Sequence, residues 1–150
     1  MERPGRGVRV VGWVLVVVGI VFALAGAVTW YLVGDQLAAE KITVSEDARF
    51  LAGRDVTGPF TAYAQADVIN KHALEATGGK TYAELGKDDP LRQTAMQASF
   101  LRASLYTSVV AFGVAAMAVV VGVVLVLVGA ALRSLAAGVV AAPSRLPSHA

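Results

Sequence analysis

The chain has no cysteine among its 150 residues. No disulfide can staple any part of it, and thiolate metal sites and thiol catalysis are excluded. Histidine is almost as scarce, with His72 and His149 the only two. Charge is absent from two long stretches, residues 10–34 and residues 103–132, neither of which holds an Asp, Glu, Lys, Arg or His. The basic residues do not gather into a patch interleaved with aromatics, so nucleic acid is not an expected partner.

What remains is strongly apolar. Hydrophobic residues make up 56% of the chain, and the mean hydropathy is +0.62. An ordinary soluble domain is about 45–50% apolar. The two uncharged stretches supply the excess. Each exceeds the roughly 20 residues that a helix needs to cross a bilayer. In lipid every backbone amide must be satisfied within the segment, which a helix does. Residues 10–34 and 103–132 are therefore read as transmembrane helices. Trp13, Trp30, Tyr31 and Tyr106 lie near their ends, where amphipathic rings anchor at the membrane interface. The first stretch also carries a basic start and the A-x-A pattern Ala25-Gly26-Ala27 of a cleaved signal peptide. The apolar run continues past that cut through Thr29-Trp30-Tyr31-Leu32-Val33, which favours a retained anchor.

Orientation follows from Lys/Arg bias. Arg3, Arg6 and Arg9 precede the first stretch, and Arg133 and Arg145 follow the second. Between residues 35 and 102 there are eight Lys/Arg against ten Asp/Glu. The expected layout is a cytoplasmic N-terminus over residues 1–9, an outer loop over 35–102, and a cytoplasmic tail over 133–150 with a disordered end. The protein is then a multi-pass plasma-membrane protein with both termini cytoplasmic. Neither span carries an ionisable group, and relays, ion paths and voltage sensors need one. A transporter or channel is disfavoured.

Small residues recur along both spans. Gly12, Gly19 and Gly26 repeat every seven residues, as do Ala115, Gly122 and Gly129. Lipid gives helices no hydrophobic reason to associate, so small residues that admit close backbone approach form the usual packing face. The spacing leaves open whether these stripes meet each other or a second copy of the chain.

The outer loop reads as helical. Ser45-Glu46-Asp47 looks like a helix start that Gly53 closes. Gly58-Pro59 opens a longer helix that Gly78-Gly79 stops. On it Tyr63, Ala66, Ile69, Ala73 and Leu74 share an arc, and Asp67, Lys71 and Glu75 form an i,i+4 ladder. Thr81 with Glu84 makes a capping-box pattern before a turn that Gly86 ends. Asp89-Pro90 starts a last helix that runs into the second span. The fold class expected is an all-α membrane protein, a hairpin of two transmembrane helices with a small helical extracytoplasmic cap.

Sites of chemistry are few. Gly79-Lys80-Thr81 resembles the end of a P-loop, but Leu74 stands where the motif needs glycine. His72 and Glu75, at i,i+3, are weak candidates for metal ligands, and too few partners accompany them. Asp88 and Asp89 serve as an N-cap and a helix-dipole complement. No catalytic residue, metal site or cofactor is assigned.

The string QADVINKHALEATGGKTYAEL, with KITVSEDARFLAG before it and FLRASLYTSVVAFGV after it, resembles a family of short two-span actinobacterial membrane proteins. Members are often labelled aromatic ring-opening dioxygenases. The resemblance runs from the first span to the end of the second. It implies topology and source, and no site residues. A non-haem dioxygenase holds iron with two histidines and a carboxylate, whereas the expected topology puts His72 and His149 on opposite sides of the bilayer. The favoured reading is a structural, interaction or accessory-subunit role in the cell envelope, exercised through the cap. The partners would be the bilayer and either another membrane protein or a second copy. The alternatives are a membrane-bound dioxygenase-like enzyme and a lipid or quinone binder with Phe60, Tyr63 and Tyr106 at the outer interface.

Overall fold

A computed structural model describes residues 6–141. Among these the chain forms three helices: α1 (Arg6–Ala39), α2 (Pro59–Ala76) and α3 (Arg92–Ala141). Both α1 and α3 are long and apolar enough to cross a membrane. They outrun the uncharged stretches at each end, because a helix is limited by its stop signals and not by its charge. Arg3, Arg145 and His149, and the tail beyond residue 141, lie outside the described residues.

The chain divides into two compact units. Among the described residues the first comprises 6–27 with 117–141. Here the two stripes of small residues meet each other. A Cβ built on Gly19 would lie 2.5 Å from the carbonyl oxygen of Gly122, and one on Gly122 would lie 2.5 Å from that of Gly19. One on Gly129 would lie 2.6 Å from the Gly12 carbonyl oxygen. Gly12 thus faces Gly129 while Gly19 faces Gly122, so the helices run antiparallel as a hairpin. No side chain fits at these positions without backbone movement, since real Cβ contacts do not reach such distances. Gly26 is buried as well. Trp13 lies beneath Arg133, whose guanidinium carbon is 3.7 Å from the ring centroid, a cation–π contact.

The second unit comprises Val28–Ala116 and has its own core of Leu37, Val44, Val56, Leu105, Phe112 and three alanines of α2. Ala115 is buried in this unit. Trp30 meets Phe112 edge to face at 4.8 Å. α2 begins as expected, with Pro59 in the first turn, where a missing N–H costs nothing. The Thr61 hydroxyl, a feature that sequence reasoning missed, reaches back to the Gly58 N–H at 3.2 Å. α2 ends at Thr77, whose hydroxyl donates to the Ala73 carbonyl at 2.9 Å, and Gly78 and Gly79 then turn with φ of 64° and 85°. Only glycine takes two such steps without steric cost.

Two expectations for this unit are corrected. Ser45 to Gly53 is not a helix. The segment doubles back on itself, bridging Thr43 with Asp55, with Val44 N–H donating to the Arg54 carbonyl (2.9 Å) and Val56 N–H to Ile42 (2.8 Å). A helix so short nucleates poorly, whereas this fold buries Val44 and Val56 to 1% exposure. Each such burial is worth about 1.5–3 kcal/mol. Next, the buried side chains of α2 are Ala62, Ala64, Ala66 and Val68, and Tyr63 is 48% exposed. Burial at every second residue means that two sides of this helix are packed, and alanine lets both neighbours come close. Thr81 and Glu84 make the expected contact, with the Glu84 carboxylate accepting from the Thr81 N–H at 2.8 Å, within the turn that precedes Gly86. Asp89 accepts from Leu91 N–H at 2.9 Å just ahead of α3.

Candidate functional site

Charge converges where the 42–56 segment lies against α2. One oxygen of Asp47, Oδ2, accepts from Lys71 Nζ at 2.8 Å and is 2.9 Å from His72 Nε2. Two residues on, Arg49 Nη2 donates to Asp67 Oδ2 at 2.8 Å. The expected ladder of Asp67, Lys71 and Glu75 is therefore replaced. Asp67 and Lys71 both turn outward to oppositely charged residues on the facing segment, which sequence spacing along one helix cannot reveal. Ser45 N–H donates to Gln65 Oε1 at 3.0 Å and closes the same seam.

The electrostatics follow from this geometry. Lys71, followed by His72, holds the Asp47 carboxyl down to about 2. Asp67 pushes Arg49 up, and Asp47 pushes Lys71 up. These side chains are from a third to four-fifths exposed, so each pair alone is weak and screened by salt. Together they tie one segment to one helix at two points. An open groove of about 520 Å³ runs beside them, lined by Asp47, Arg49, Asp67 and Lys71 among others.

His72 thus has Asp47 as its partner, not Glu75. Among the described residues no three His, Asp or Glu side chains stand close enough to hold a metal ion. Of the anchor residues, Tyr106 meets Tyr63 edge to face at 5.9 Å, and Tyr63 stacks on Phe50 at 6.3 Å. This aromatic ladder joins α3, α2 and the 42–56 segment. Phe60 is 75% exposed beside it. Phe50 and Phe112 were not singled out from sequence, and only their position in an apolar or aromatic context marks them. Trp30 packs on Phe112, whereas Tyr31 is exposed.

No protein-family model, curated protein or solved structure matches the chain.

Proposed function

We propose that this chain is a two-span membrane protein whose residues 35–102 form a helical cap outside the cytoplasm, and that it acts as an interaction or accessory protein through that cap. One observation carries the membrane reading. The most apolar windows of α1 and α3 are only 22% and 17% buried, and Val14, Leu24, Val120 and Leu127 all stand more than half exposed. Water would not tolerate so large an apolar surface on a monomer, but hydrocarbon is its natural solvent. Arg6, Arg9 and Arg133 at one end favour that end as cytoplasmic. The cap is held by ion pairs and a small alanine-rich core, and it presents Phe60 and Phe100, both largely exposed.

The absence of cysteine makes the topology testable. Ala48 is partly buried against the core, so the exposed Glu46 is the better probe. On intact cells Glu46→Cys is expected to react with a membrane-impermeant thiol reagent, and Ser148→Cys only after permeabilisation. Labelling at residue 148 alone would invert the topology. Purification in mild detergent then tests the role. A stoichiometric protein partner supports it, and recovery of the chain alone with bound iron would support the dioxygenase reading instead.

A further inference from the structure

The end of α2, the turns after it and the start of α3 line a smaller, partly open cavity of about 40 Å³. Its polar lining comprises Asn70, Lys80, Thr81, Tyr82, Ser99 and Arg102, and no carboxylate is among the lining residues. The Arg102 Nε is buried and has no hydrogen-bond partner among the described residues. Two of the hydroxyls are already committed, Thr81 Oγ1 to Glu84 at 2.7 Å and Ser99 Oγ to the Ala95 carbonyl at 2.9 Å. The nearby Glu84 carboxylate is itself occupied, since the Thr81 N–H and hydroxyl donate to it and lower its pKa. The charged groups left with donating capacity are Lys80 and Arg102.

A cavity that offers cationic donors and no acid selects an anion rich in acceptors. Its volume exceeds the roughly 10–15 Å³ that one water needs. It is far below the roughly 300–1,000 Å³ of a pocket for an organic ligand. That volume suits a compact tetrahedral oxyanion. Arg102 is also the last charged residue before the uncharged residues 103–132, and Phe100 and Leu101 beside it are exposed.

We propose that this cavity binds a phosphate group, with Lys80 and Arg102 as its charged donors. A phospholipid headgroup and free inorganic phosphate share that chemistry. The lipid source rests on the reading that α3 crosses a bilayer, whereas the phosphate site itself does not.

The test uses the full chain, purified in detergent and stripped of lipid. In one arm phosphatidylglycerol is titrated and retention is read by native mass spectrometry. In the other, inorganic phosphate is titrated without lipid and the thermal midpoint is followed. Lys80→Gln and Arg102→Gln are each expected to weaken binding tenfold or more, and Lys87→Gln to leave it unchanged. Retention in the lipid arm assigns a headgroup, and response in the phosphate arm alone assigns the free ion. Lys80 is exposed, so its variant folds even if Arg102→Gln does not, and it decides the case. Binding in neither arm, or equal loss in Lys80→Gln and Lys87→Gln, overturns the proposal. Failure of the membrane reading is separate and appears as protein recovered outside the membrane fraction.

Discussion

Asp47 accepts at one of the two ion-pair ties between the 42–56 segment and α2. Its carboxyl lies at about 2 in the folded chain against an ordinary 3.8, chiefly because Lys71 and then His72 hydrogen-bond its anion. A group whose pKa is depressed by folding contributes stability above its unfolded pKa and loses it as pH falls through the folded one. The contribution is therefore complete above about pH 4 and fades towards pH 2. Protection of the Val44 and Val56 amides from hydrogen exchange, taken relative to the intrinsic rate at each pH, is expected to fall across that window in the wild type. Asp47→Asn is expected to show faster exchange already at neutral pH and a flatter response to acid. Equal acid slopes in both proteins would show that the ion pairs contribute nothing to holding the segment. The pairing was not legible in the sequence. Asp47 and Lys71 lie 24 positions apart, and the i,i+4 spacing on α2 offered a nearer, wrong partner.

At the scale of elements, the decisive feature is the contact of glycine stripes between α1 and α3. Because a Cβ on Gly19 would meet a backbone oxygen at 2.5 Å, even Gly19→Ala forces the helices apart. Overpacking of this kind costs about 1–3 kcal/mol, and Gly19→Ile is expected to cost more. Gly122→Ala should behave like Gly19→Ala. The controls are Val17→Ile and Val124→Ile, whose side chains are 55% and 51% exposed. Val16 would be a poor control, since its Cγ2 lies 2.9 Å from the position of a Gly129 Cβ. Thermal unfolding in detergent distinguishes the two sets, and similar midpoints for all five variants would show that the small residues do not govern packing. The seven-residue spacing was visible in sequence. That each stripe faces the other within one chain was not, because a stripe on one helix carries no record of its partner. The 42–56 segment shows the opposite failure. Its serine and acids read locally as a helix start, while Val44 and Val56 were drawn into extended pairing by the burial that it allows.

For the molecule as a whole, the alternative reading as a dioxygenase-like enzyme carries a measurable consequence. A non-haem iron site needs two imidazoles and a carboxylate on one face, and His72 already faces Asp47. Elemental analysis of the purified chain is expected to find no stoichiometric iron, and His72→Ala to change neither metal content nor overall folding. Iron present at one atom per chain and lost in the variant would revive the enzymatic reading. Two long apolar helices, the α2 boundaries at Pro59 and Gly78, and the glycine spacing were determined by the sequence alone. Their causes are local: uncharged length, a fixed proline φ, and the freedom of glycine at positive φ. The partners of Asp47, Asp67 and Phe112 were decided only by tertiary structure. Those contacts join residues distant in the chain, and their energy depends on which surfaces folding brings together.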